Sequence, residues 1–201
     1  REAGAKTLMH GYSDPTPALD LWNDLCASVI ASKFDNVIIS TEELMRMGEY
    51  PLAATRLAEF AAIAADRGIE VTVIAYLRNP QDHLQSWHNQ LVKMAKPVAH
   101  FSGALQPTDT ATPSATAIEA IHYDYGRALA PWIAAFGAGR IILRDYDQAR
   151  RSPTGLFEDF LGVLGLSYDD SLNKPQGDPN PRLDDRLVEL LRVAQGAGLP
   201  K

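Results

Sequence analysis

Residues 71–86 constrain this chain more than any other stretch. Val71-Thr72-Val73-Ile74-Ala75-Tyr76-Leu77 is a nearly continuous apolar run rich in β-branched and aromatic residues, and Arg78-Asn79-Pro80-Gln81-Asp82 follows directly. Such a run predicts a strand covered on both faces, the usual state of a strand in a parallel sheet. Arg78 then falls at its carboxyl end, Asn79 suits an N-cap, Pro80 suits the first helical position, and Asp82 complements the positive end of the helix. Open α/β sheets bind ligands at the carboxyl ends of their strands, and a helix N-terminus offers backbone N–H groups to an anion. The stretch therefore predicts a site for a phosphate or sulfate group. Along the helix, Leu84, Trp87, Leu91 and Met94 share one face by spacing, while Ser86, Asn89, Gln90 and Lys93 share another.

The rest of the sequence predicts more units of the same kind. Helices are expected over Thr16–Ser32, Pro51–Arg67 (stopped by Gly68), Tyr123–Phe136 (stopped by Gly137), Thr154–Leu164 and Asp184–Ala194, with a helical turn from Thr41 to Met45. Asn36–Ser40 and Arg140–Arg144 read as further strands. Strands alternating with helices predict one α/β domain over residues 1–201, a parallel sheet flanked by helices. Three strand ends would then share one sheet edge and bring Ser40, Thr41, Glu42, Arg78, Asn79, Arg144, Asp145 and Tyr146 to one cleft.

The segment Arg78-Asn79-Pro80-x-Asp82-x-x-x-Ser86 resembles the motif by which sulfotransferases hold the 3′-phosphate of 3′-phosphoadenosine 5′-phosphosulfate (PAPS). Its plain alternative is a strand-end arginine in a surface ion pair beside a solvated helix serine. Ile38-Ile39-Ser40-Thr41-Glu42 resembles the second strand of bacterial sulfotransferase-like proteins. Tyr125–Tyr146, Phe157–Leu161 and Leu164–Leu166 resemble their later units, so the resemblance spans about Val37 to Leu183. It implies a P-loop NTPase-like fold and sulfuryl transfer from PAPS to a hydroxyl or amine acceptor, with adenosine 3′,5′-bisphosphate (PAP) as product. Arg78 and Ser86 would hold the donor, Lys174 and Arg182 would reach it from a late polar loop, and Glu42 would serve as base, unless it caps the following helix. The sequence 96–116, punctuated by Pro97, Gly103, Pro107 and Pro113, would border the acceptor, a carbohydrate, lipid or small molecule.

The family's lysine- and glycine-bearing phosphosulfate loop has no counterpart in this sequence. Gly4-Ala5-Lys6-Thr7 lacks both the preceding strand and the glycine spacing of a phosphate loop. The expectation is a chain that starts after the first strand and that loop, and that folds less cooperatively than a complete domain. A nucleotide kinase of related fold and a noncatalytic nucleotide- or partner-binding remnant are the competing readings.

Composition sets outer bounds. With 46% apolar residues in 201, the chain can bury a substantial core, and its net charge of −6 argues against nonspecific nucleic-acid binding. The single cysteine, Cys26, lies on an apolar helical pattern and is expected to pack in the core. No apolar run reaches membrane-spanning length, and the default location is cytoplasmic. His83 and His88 lie five apart, which does not put two ligands on one helix face, and His10, His100 and His122 are isolated, so no metal is expected.

Overall fold

A computed structural model describes residues 16–41, 43–49, 52–94, 120–169, 172 and 183–198. The protein is mixed α/β, with a small two-stranded parallel sheet and mostly helices. In order these are α1 (Ala18–Ala31), α2 (Glu43–Arg46), α3 (Ala53–Asp66), β1 (Val73–Leu77), α4 (Pro80–Lys93), α5 (Tyr125–Phe136), β2 (Ile141–Asp145), α6 (Tyr146–Arg151), α7 (Gly155–Val163) and α8 (Asp185–Gly196). Short 3₁₀ turns cover Met47–Glu49, Ala120–His122 and Ala138–Arg140. Two compact units divide the chain: residues 1–75 with 125–142, and residues 76–124 with 143–201.

The first unit is built on α3. Ala53, Leu57, Phe60 and Ala64 are its buried residues, spaced four, three and four apart, which is one stripe of a helix. Leu57, Phe60 and Trp132 of α5 form the buried cluster, with Leu19, Trp22, Leu44, Met47, Val73, Phe136 and Ile141 packed around it. Trp22 stacks on Phe60 with ring centroids 4.9 Å apart and donates its indole N–H to the Phe60 carbonyl at 3.0 Å, so its one polar atom is satisfied inside an apolar contact. Arg67 ties the end of α3 to α1 by donating to the backbone and side-chain oxygens of Asn23, each at 2.7 Å. Gly68, at φ 67°, stops α3: its N–H bonds the Ala65 carbonyl and that of Ile69 bonds the Ala64 carbonyl, the paired pattern of a Schellman cap. At Gly48 a Cβ would stand 2.0 Å from the Ala128 carbonyl oxygen, so the turn at 47–49 meets α5 at a distance only glycine permits. Cys26 is buried as its helical pattern predicts, and burial raises its thiol pKa against the pull of Arg67.

The second unit pairs α4 with α8 and α6 with α7. Leu91 and Val92 of α4, Ile121, Ala149 of α6, Leu161 of α7 and Val188 of α8 are its buried apolar residues. Gln195 of α8 donates to the Val92 carbonyl at 3.0 Å, and Gln85 of α4 donates to Asp185 at 2.8 Å.

Two sequence expectations are corrected. Residues 36–40 form no strand, and Val37, Ile38 and Ile39 remain 45%, 57% and 49% exposed. A strand is stabilised by a partner's hydrogen-bond ladder, and among the described residues the only ladder is that of β1 with β2. Among the described residues the sheet therefore has two strands, not three. On α4, Asn89 and His88 are buried at 4% and 7% exposure, although the pattern set Asn89 on the polar face. The chain entering α8 accounts for half of the Asn89 amide: its Nδ2 donates to the Leu183 carbonyl at 3.3 Å, while its Oδ1 is buried without a hydrogen-bond partner among the described residues.

Candidate functional site

The local structure of the β1–α4 junction is the one its sequence predicts. β1 ends at Leu77, Arg78 follows, and Asn79 caps α4 by accepting the Gln81 N–H at 2.9 Å, with Pro80 as the first helical residue. The end of β2 repeats the device. Leu143-Arg144-Asp145 parallels Leu77-Arg78-Asn79, and the Asp145 carboxylate caps α6 by accepting the Gln148 N–H at 2.8 Å. Each strand thus delivers an arginine to its carboxyl end and hands over at once to a capped helix.

The two arginines have different partners. Arg78 faces α6: its Nε lies 3.8 Å from Asp147 Oδ1, and its guanidinium sits 5.5 Å from the centroid of the Tyr146 ring. Asp147 Oδ2 also accepts the backbone N–H of Asn79 at 3.0 Å. A carboxylate of the protein's own therefore lies at the start of α4 beside Arg78. Arg144 donates from both Nε and Nη2 to the Asp159 carboxylate of α7, and the Tyr76 hydroxyl donates to Asp159 Oδ1 at 2.7 Å. This network holds Asp159 below the usual carboxylate range, chiefly through the Arg144 hydrogen bonds and then that of Tyr76. Burial, followed by the bond to Asp159, pushes Tyr76 up to about 12. Arg144 thus braces the sheet end against α7.

An open cleft of about 350 Å³ adjoins the junction, lined by Asp82 of α4 and Asp147, Arg150 and Arg151 of α6. With Arg78 included, three guanidinium groups and two carboxylates surround the junction. Such a set can hold an anion through charge-assisted hydrogen bonds, and its carboxylates compete for the same donors.

Ser86 lies on α4, half-buried, on the same strand–helix unit as Arg78. Glu42, Lys174 and Arg182 lie outside the described residues, as do Gly4–Thr7, His10, His100, the 96–116 sequence and the 173–182 loop. Sequence reasoning missed Asp147, Asp159 and Tyr76. The signal for Asp147 was the repeated Leu-Arg-Asx unit with a carboxylate just beyond it, at Asp82 in one copy and Asp147 in the other.

A group of aromatic rings packs beside this junction. His122, 2% exposed, stacks on Trp87 at 4.9 Å between centroids and meets the edge of His83 at 5.0 Å. Burial, with a smaller contribution from the Arg78 charge, lowers the His83 pKa below the ordinary histidine value. Among the described residues, no three His, Cys, Asp or Glu side chains are grouped to hold a metal ion, and no helix is long and apolar enough to cross a membrane. No protein-family model, curated protein or solved structure matches the chain.

Proposed function

We propose that the protein is a sulfotransferase-like, P-loop NTPase-like α/β protein that binds PAPS and transfers its sulfuryl group to a hydroxyl or amine acceptor. The observation that supports this reading is the β1–α4 junction, where a strand-end arginine precedes an Asn-capped, Pro-initiated helix that carries Ser86. Arg78 supplies a guanidinium fork for the donor's 3′-phosphate, Ser86 supplies a hydroxyl, and the helix N-terminus adds a favourable dipole. Lys174 and Arg182 are proposed as further donor contacts and Glu42 as the base. In the transfer, the acceptor oxygen or nitrogen attacks sulfur and the bond from sulfur to the 5′-phosphate oxygen breaks. The acceptor proton passes to the base, and PAP leaves.

The test is calorimetry with PAP. Arg78→Ala is expected to weaken binding by about 1.5–3 kcal/mol, and Ser86→Ala by less. Unchanged affinity in both folded variants rejects the pocket. One observation favours a second reading, a noncatalytic binding protein: Asp147 pairs with Arg78 and accepts the Asn79 N–H, as in a purely structural ion pair. Transfer of labelled sulfate from PAPS to a mixture of hydroxyl and amine acceptors separates the two, because only the enzyme reading predicts labelled acceptor.

A further inference from the structure

We propose that Asp147 is a built-in competitor for the anion site, an autoinhibitory carboxylate that must leave Arg78 and the start of α4 before a phosphate group can bind. The inference rests on the reading of the β1–α4 junction as a phosphate site and concerns how that site is regulated. Three observations carry it. Asp147 makes two contacts an incoming phosphate oxygen would need: one oxygen accepts the Asn79 backbone N–H at 3.0 Å, and the other lies 3.8 Å from Arg78 Nε. The same carboxylate lines the open cleft with Asp82, Arg150 and Arg151, so it borders both the occupied position and the space through which an anion arrives. Finally, the side chains of Arg78 and Asp147 are about one-fifth exposed, which leaves the pair within reach of solvent and exchangeable.

The chemistry is a substitution of one anion for another. A carboxylate carries one negative charge and, once displaced by a phosphate on Arg78, rotates into the cleft beside Arg150 and Arg151. Asp82, in the first turn of α4, opposes any anion by like charge, so a ligand must present enough charge to outcompete both carboxylates. The site thereby discriminates in favour of di-anionic phosphate and against singly charged carboxylates.

The experiment measures binding of inorganic pyrophosphate and of PAP to the full chain by calorimetry. The proteins are the wild type, Asp147→Asn, Arg78→Ala and the double variant, each checked for native circular dichroism. Asp147→Asn keeps the shape and an acceptor for the Asn79 N–H while removing the charge. It is expected to tighten binding of both probes about tenfold, and the gain is expected to vanish in the double variant. Asp147→Ser serves the same purpose if the asparagine variant does not fold. Affinity unchanged or weakened in Asp147→Asn, with the wild type still binding PAP, overturns the competitor while leaving the donor site standing. Tighter pyrophosphate binding without PAP binding keeps the competitor and removes the nucleotide reading. Failure of every protein to bind either probe overturns both.

Discussion

At the scale of single residues, His83 links the ring cluster to solution pH. Its imidazole is half-buried against His122 and near Arg78, and both burial and that charge favour the neutral form. The folded pKa therefore lies below the unfolded value of about 6.5, and between the two the unfolded chain binds more protons. The stabilising contribution is present in full above that unfolded value and is lost as pH falls towards the folded one. Chemical denaturation at about pH 7 and about pH 5.5 is expected to show lower stability at the acid end. Replacing His83 by glutamine, which stays neutral, should flatten that slope. An equal slope in both proteins rules out His83 as its source.

At the scale of elements, the caps and the strand–helix junctions were legible in the sequence because their causes are local. Asn79 was predicted as the cap of α4, and its oxygen accepts the Gln81 N–H. Removing that acceptor in Asn79→Ala is expected to cost about 1 kcal/mol, read as a lower midpoint in thermal unfolding. No change in the midpoint argues that the Asp147 contact at the same turn compensates. What was not legible depends on partners far away in sequence. Val37-Ile38-Ile39 has strand composition, yet among the described residues no ladder forms on it, because pairing belongs to two segments and composition describes one. Asn89 looked solvent-facing until the Leu183 carbonyl supplied an acceptor from another part of the chain. A strand-end arginine fits either a ligand or an ion pair, and what the sequence does not name is the partner, Asp147, which lies on α6, beyond the whole of α4 and α5.

At the scale of the whole molecule, the two units are interleaved along the chain. The first takes its α1, α3 and part of β1 from residues before 76, and its α5 from residues 125–142. Leu57 and Phe60 therefore depend on Trp132 for a closed cluster. Residues 16–75 produced alone are expected to show no cooperative thermal transition by circular dichroism, and joining residues 125–142 through a flexible linker should restore one. A cooperative transition in the shorter piece would mean that α1 and α3 suffice. The interleaving also dictates an order of events on the ribosome. Trp22 and Phe60 emerge early and can pair while synthesis continues, but Trp132 arrives only after all of α4 has been made. Until then the apolar stripe of α3 stays half-clothed, and a slow stretch of translation before Trp132 would lengthen its exposure.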